Sequence, residues 1–383
     1  MTMLDFPPVT VIVLNLNGRD HLRPCLQSLG ELDYPKDRLE VLLVDNGSRD
    51  DSVAVARHEF PWVRVLPFRE NQGFCRGINL GVREASTPFV AFLNNDTRVD
   101  PRWLVELVAP VVSGRADATG SRILSWEGDL VHFAGGGSNF HGIAFQVGMN
   151  GREQAAFRKE GPTLFPCGAA MLLRKELFLD VGGFDEDFFA FYEDVDFGWR
   201  LWILGHKVLY VPGSVVYHRH SATASKVGIQ RLRVLHVRNP LYMIFKNYEE
   251  QNLRRVLPAA LLLSMRRTTY LAGVPEEDFR IERMGEPRKE RGLLFRRNGA
   301  GREEASVPKV ALADFIAYTD FARSLPALVR KREAIQTRRV RADREIVPLF
   351  VNPMWAVEEP EEYSALQEEL VRFLGLDELF PPR

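Results

Sequence analysis

Three carboxylates fall within four residues at Glu193, Asp194 and Asp196, directly after an aromatic run from Phe188 to Tyr192. Carboxylates crowded in an apolar setting disfavour one another's ionisation, which can hold one of them ready as a base. Transfer of a group onto a hydroxyl needs such a base. The plain alternative is that they stabilise the positive end of a following helix, at about 0.3–1 kcal/mol each. Asp96 closes a polar turn, Asn94-Asn95-Asp96, behind an apolar stretch. A hard divalent cation such as Mg2+ or Mn2+ takes carboxylate oxygen and keeps positions open for a diphosphate. An Asx turn, or a cap for a helix near Pro101, would place the same residue here, and spacing alone leaves the two readings even. His218 and His220 add imidazoles, which ligate manganese-type ions and pair with phosphate, although a histidine in a loop is more often simply solvated.

Glycines in Asn71-Gln72-Gly73-Phe74 and Gly77-Ile78-Asn79 let backbone approach a ligand closely. Neither GxxxxGK[ST] nor GxGxxG follows a predicted strand, which speaks against a kinase and against a dinucleotide dehydrogenase.

These residues must be positioned by the elements around them. From Val9 to Leu93, short β-branched apolar runs alternate with helical spacing, the pattern of successive strand-helix-strand units and a mostly parallel sheet. Predicted strands cover Val9 to Leu14, Leu39 to Val44, Trp62 to Leu66 and Pro88 to Leu93. Leu22, Cys25, Leu26 and Leu29 predict the first helix, with Pro24 in its first turn. Further helices are expected from near Asp51, from Gly77 to Glu84 and from Pro101. Asp45 and the Asn94-Asn95-Asp96 turn sit at carboxyl ends of strands, where open α/β sheets gather ligands. The region to about Asn150, with Gly135-Gly136-Gly137, reads as loops with short strands. Beyond it, strands are predicted over Phe165 to Leu173 and Lys207 to Val211, and helices over Arg174 to Asp180 and Val195 to Leu204. The catalytic unit is expected to span 1–248. An Arg- and Glu-rich, mainly helical region follows over 249–383, with a loop-like stretch over 283–308.

Composition narrows the partners. Lys plus Arg number 50 against 51 for Asp plus Glu in a chain of 383 residues, so no global field draws the protein to nucleic acid. Cys25, Cys75 and Cys167 are odd in number and lack metal-ligand spacing, which suits a reducing cytoplasm. Met1 to Pro8 shows no signal-peptide pattern. The longest apolar run, Val256 to Met265, is too short to span a bilayer. A buried helix is its main reading, and a shallow contact with the inner face of the membrane through its flanking arginines is the lesser one.

The ordered segments VTVIVLNLNG (9–18), VLLVDNGSRDDS (41–52), ENQGFCRGINLGV (70–82), FLNNDT (92–97), CGAAMLLRKELFLDVGGFDEDFFAFYEDVDFGWR (167–200) and VYHRHSAT (216–223) together resemble the family 2 glycosyltransferases of GT-A fold, in particular the bacterial rhamnosyltransferase-like members that build surface polysaccharides. The resemblance implies a Rossmann-like sheet flanked by helices and an inverting, metal-dependent transfer of a sugar, rhamnose among the candidates. The donor would be UDP- or dTDP-linked, and the acceptor a glycan or a lipid-linked glycan. Asp45 would read the nucleobase, with Leu14, Asn15, Asn71 and Asn79 lining the nucleotide pocket and Asn94 and Asn95 facing the nucleotide sugar. Asp96 corresponds to the metal-binding acid of the DxD motif, whose first position is Asn94 here, leaving fewer anionic ligands. His218 would complete the Mg2+ or Mn2+ site. Asp194 corresponds to the catalytic base, supported by Glu193, while Cys167, Gly168, Ala169 and Trp199 would lie near sugar or acceptor.

Two rivals remain at this level: a non-catalytic carbohydrate- or nucleotide-binding protein on the same fold, and a sugar nucleotidyltransferase. The latter needs a Gly-rich basic loop after the first strand, where this chain has Asn15-Leu16-Asn17-Gly18. The region 249–383 is compatible with packing on the catalytic unit, with a homodimer contact or with a membrane surface.

Overall fold

A computed structural model describes residues 6–219, 228–273, 308–357 and 361–381. Strands and helices alternate as expected through β1 (Val9–Asn15), α1 (Arg19–Gly30), β2 (Leu39–Asp45), α2 (Ser52–Glu59), β3 (Arg64–Pro67), α3 (Phe74–Glu84) and β4 (Phe89–Asn94). There follow β5 (Thr97–Val99), α4 (Trp103–Val112), β6 (Ala118–Ser125), β7 (Leu130–Phe133), β8 (Gly136–Ser138), β9 (Ala144–Gln146), β10 (Gly151–Arg152) and β11 (Gly161–Pro162). The chain continues through β12 (Ala170–Arg174), α5 (Lys175–Asp180), α6 (Glu193–Ile203) and β13 (Val208–His218). The C-terminal part supplies α7 (Ile229–Asn247), α8 (Glu250–Leu271), α9 (Lys309–Thr337), α10 (Asp343–Ile346) and α11 (Glu361–Phe373).

The main sheet runs β10-β7-β6-β12-β4-β1-β2-β3. Its β4-β1-β2-β3 half is parallel. The strand interiors there, VTVIV and VLLV, are almost wholly buried, as expected for strands covered on both faces. β12 is antiparallel to both of its neighbours, β4 and β6, so the sheet is mixed where it meets the second half.

Several boundaries differ from the sequence reading. Pro24 lies in the second turn of α1, not the first. The third strand begins at Arg64, two residues later than Trp62, and α3 begins at Phe74, where Gly73 turns the chain with φ of 80°. The helix after Pro101 starts at Trp103, β12 starts at Ala170 instead of Phe165, and α6 starts at Glu193 instead of Val195. Ala118–Ser125, read as part of an irregular region, is an eight-residue strand inside the sheet. Gly120 is required there because a Cβ would come within 2.8 Å of the Pro166 side chain. β13 runs on to His218 because Pro212-Gly213 forms an irregularity between Val211 and Val215, not a stop. The stretch 283–307 lies outside the described residues.

One apolar core extends from Val9 on β1 to Phe380 near the C-terminus. Within α8, Val256, Ala259, Ala260 and Leu263 face that core, while Leu262 and Met265 are exposed. Among the described residues no helix is long and apolar enough to cross a membrane.

Candidate active site

Parallel register brings the first half of the site together. Asn15 pairs with Asp45 across β1 and β2, and Leu14 with Asn94 across β1 and β4, so all four stand at one edge of the sheet. The Asn15 amide donates to Asp45 Oδ1 at 2.9 Å, and Asn95 donates to Asn15 Oδ1 at 2.6 Å. Ser48 donates its hydroxyl at 2.5 Å and its backbone N–H at 3.1 Å to the Asp45 carboxylate. The Asp45 carboxylate is thereby fixed in orientation. Gly18 is required beside this network, since a Cβ there would lie 2.0 Å from Asn95 Nδ2 and 2.4 Å from Asn15 Oδ1.

Asn71 accepts from Gly73 N–H and from the Asn46 amide at 2.8 and 3.0 Å, which shapes the loop over the strand ends. Asn46 was not singled out from sequence, although it stands in the same Asp45-Asn46-Gly47 turn. Asn79 is placed differently from expectation. Its amide donates to Phe184 O and Glu186 and its carbonyl accepts from Phe184 N–H, so it tethers the 184–186 loop to α3 instead of facing the nucleotide pocket.

Asp96 is 5% exposed, and the His218 Nε2 lies 3.0 Å from its Oδ1. Burial alone would raise the Asp96 carboxyl, but the hydrogen bond and charge of His218, a backbone N–H and nearby His21 together hold it below the usual carboxylate range. Asp96 is therefore ionised, the state a cation requires. His21, on the first turn of α1, went unnoticed in the sequence; its Nδ1 is buried without a hydrogen bond. Among the described residues no group of three or more His, Cys, Asp or Glu side chains forms a complete cage. An ionised carboxylate with an imidazole beside it nonetheless suits an ion that keeps positions open for diphosphate oxygens.

The second half of the site is the first turn of α6. Phe189, Phe191 and Tyr192 all take positive φ, at 64°, 66° and 69°, a conformation costly for aromatic residues and retained only where the surroundings enforce it. Asn239 on α7 enforces it by reaching the carbonyl oxygens of Phe188, Ala190 and Phe191 at 3.2, 2.9 and 2.8 Å. The strained turn sets the position of Glu193 and Asp194 at the start of α6. Asp194 accepts from Gly168 N–H and Val195 N–H, both at 2.8 Å. Burial raises both carboxyls, Glu193 well above its ordinary value because the charge of Asp194 adds to burial, and backbone N–H groups restrain Asp194. The two N–H groups that Asp194 accepts favour its charged form, whereas Glu193 Oε2 is buried without a partner.

Segment 167–169 joins the two halves. Ala169 O accepts from Asn94 N–H at 3.1 Å while Gly168 N–H holds Asp194. Burial pushes the Cys167 thiol up strongly, so it stays protonated and lines the cleft as a small apolar group. Trp199 does not belong to the site. It is 1% exposed and packs edge-on against Tyr248 and Phe350 at 4.8 and 5.1 Å between ring centroids. Helical spacing five residues after Asp194 turns it to the opposite side of α6, into the core.

Asp196, the third carboxylate of the cluster, is structural. It is fully buried and pairs with Arg200 at 2.8 Å and with Lys246 at 3.0 Å. Lys246 also holds Asp185 at 2.5 Å, and Lys331 on α9 reaches the same carboxylate. The α6 helix is thereby pinned to α7 and α9 by a chain of alternating charges.

Comparison with known proteins now bears on this arrangement. Residues 10–182 match the family model described as Glycosyl transferase family 2. This region is similar to the family 2 glycosyltransferases. The chain is 33% identical over 239 residues to the O-antigen biosynthesis protein RfbC of Myxococcus xanthus, covering 57% of this chain but only 18% of that protein. It is 29% identical over 261 residues to an N-acetylglucosaminyl-diphospho-decaprenol L-rhamnosyltransferase of Mycobacterium tuberculosis, covering 61% of this chain and 82% of the relative. The crystal structure of GalNAc-T7 with UDP, GalNAc and Mn2+ superposes with a TM-score of 0.53 at 16% identity, over 67% of this chain and 51% of that one. The transferase domain thus has the GT-A fold. The resemblance to rhamnosyltransferase-like members stands, with the DxD position occupied by Asn94-Asn95-Asp96.

Proposed function

We propose that the protein is an inverting, metal-dependent glycosyltransferase that moves a sugar from a UDP- or dTDP-linked donor to a hydroxyl of a glycan or lipid-linked acceptor. One observation carries the reading: the acid at the sheet edge, Asp96 beside His218, and the buried carboxylates Glu193 and Asp194 are joined through segment 167–169. Transfer from a nucleotide carrier needs both.

Asp45, fixed by Asn15 and Ser48, offers carboxylate oxygen to the N–H groups of a nucleobase edge. Asp96 and His218 would hold a divalent cation, which when bound supplies positive charge to the departing diphosphate. Asp194 takes the proton of the acceptor hydroxyl while that oxygen forms its bond to the anomeric carbon. The bond to the diphosphate breaks on the opposite face, so a single displacement inverts the configuration. Burial and the neighbouring Asp194 charge push the Glu193 carboxyl well up, which favours its neutral form beside the base. The mycobacterial relative is named for L-rhamnose transfer to a lipid diphosphate, which supports the same donor sugar and acceptor classes here.

Calorimetric titration with UDP and dTDP, with and without Mn2+, tests this reading on the wild type and on Asp96→Ala. Metal-dependent binding of one nucleotide, weakened at least roughly tenfold in the variant, is the expected result. Absence of binding by either nucleotide in the presence of Mn2+ would overturn it.

A further inference from the structure

An open cavity of about 590 Å³ is lined by Ala144, Phe145, Gln146, Met149, Asn352 and Trp355. It is assembled from two distant stretches of chain, the β8-β9 hairpin and the segment leading to α11. Its near wall reaches toward the turn before Asp194: Ile143, the residue before Ala144, lines a small pocket with His236, whose ring meets that of Tyr192 edge-on with centroids 6.5 Å apart. None of the lining residues belongs to the nucleotide end of the sheet.

The walls are built, not incidental. Asn139 donates to Trp355 O at 3.1 Å, and Phe140 N–H donates to Pro353 O at 2.8 Å, which clamps the C-terminal segment to the loop before β9. Gly137 is required opposite Phe145, because a Cβ there would lie 2.6 Å from that ring and 2.7 Å from Phe350 O. Phe145 and Trp355 meet edge to face, with centroids 5.2 Å apart and planes at 72°. Among the described residues, the indole N–H of Trp355 and the side-chain amides of Gln146 and Asn352 make no hydrogen bond.

Aromatic faces ringed by open amides, without a charged side chain, match one ligand chemistry. A pyranose presents an apolar C–H face for a ring to cover and a rim of neutral hydroxyls that donate and accept. A nucleotide or lipid diphosphate head would call for cations, and an acyl chain would leave the amides unpaired. A volume of this size, within the roughly 300–1,000 Å³ range of small-molecule sites, holds one or two sugar rings. We propose that this cavity is the acceptor-sugar subsite, with Trp355 and Phe145 as its platform and Gln146 and Asn352 as its readers of hydroxyl groups. The assignment rests on the transferase reading above and goes beyond it by naming where a neutral sugar of the acceptor binds and which residues select it.

The test measures sugar binding without donor, so that it stands apart from catalysis. Saturation-transfer NMR of the full chain with the methyl glycosides of N-acetylglucosamine, rhamnose, galactose and mannose should show at least one binding. Trp355→Ala and Phe145→Ala should weaken that glycoside about tenfold, the upper end of what a lost ring contact confers. Trp355→Phe should retain most of the affinity, and UDP or dTDP binding should be unchanged throughout. Asn352 is exposed, so Asn352→Ala tests the cavity even where removal of Trp355 disturbs folding, and it should change the preference among the four glycosides. Unaltered glycoside binding in Trp355→Ala and Asn352→Ala, or no glycoside bound by a wild-type protein that binds nucleotide, overturns the subsite. Failure to bind nucleotide would instead strike the transferase reading.

Discussion

Replacing Asp194 by Asn separates the proposed base from its surroundings with little change of shape. In the wild type, Asp194 accepts two backbone N–H groups, from Gly168 and Val195, at 2.8 Å each. The amide of Asn can accept only one of them through its oxygen and turns a second donor toward the other. A lost acceptor of this kind costs about 1–3 kcal/mol, but the variant also removes a buried charge whose desolvation opposes folding. The two effects oppose each other, so melting should shift by only a few degrees. Catalysis has no such compensation. A positioned general base typically contributes about 10²–10⁴ in rate, or about 2.7–5.4 kcal/mol of barrier. Product formation in single-turnover chromatography should fall by that factor, while the nucleotide Kd by calorimetry changes less than about twofold. In the wild type the acid limb of kcat/KM should lie above the ordinary aspartate value of about 3.9, because burial raises the Asp194 carboxyl. Retention of more than roughly a tenth of the activity by Asp194→Asn, or a greater loss in Glu193→Gln, refutes the assignment of the charge to Asp194.

Other outcomes follow from the same geometry. Gly18→Ala should push Asn95 away from Asn15 and weaken nucleotide binding roughly tenfold, about 1.4 kcal/mol, with the fold retained; unchanged calorimetry would remove Gly18 from the pocket. Lys246→Met leaves Asp185 and Asp196 without their shared cation and should cost about 3–5 kcal/mol in denaturant unfolding. Burial opposes ionisation of Asp185, but Lys246 and Lys331 together depress its carboxyl strongly. The folded value therefore lies below the unfolded one, and its contribution is present above about pH 4 and lost as pH falls further. Lys246→Met should flatten that acid slope, and an unaltered slope contradicts the pairing.

The candidate site residues stand out in the sequence because each lies in a short stretch with its own local pattern. Asp45 and Asp96 end buried apolar strands, and Glu193 and Asp194 open an aromatic helix. β1, β2 and β4 were equally plain, since strands covered on both faces leave continuous apolar runs. β6 was hidden by Gly120-Ser121-Arg122, a composition set by the close approach of Pro166 and not by strand propensity. The length of β13 was hidden by Pro212-Gly213, which reads as a turn but sits at an irregularity in the ladder. Trp199 was drawn toward the site by its nearness in sequence to Asp194, whereas helical periodicity settles which side it occupies. Trp355 and Phe145 carry no local signal at all. Their meeting depends on hydrogen bonds such as Asn139 to Trp355, between residues 216 apart in the chain, and a contact of that range is written in no single motif.

The grip of Asn239 on the turn before Glu193 bears on how the enzyme is born. A nascent chain leaves the ribosome from its N-terminus, so the strands carrying Asn15, Asp45 and Asp96 emerge long before α7. The N–H groups of Phe74 and Cys75 on α3 can hold the Phe189 carbonyl early, but the carbonyl oxygens of Phe188, Ala190 and Phe191 wait for Asn239 to arrive and dock against them. With Asp194 as the proposed base, competence for transfer would be acquired late in synthesis, and a partly made chain with a finished sheet end would be inert toward a donor.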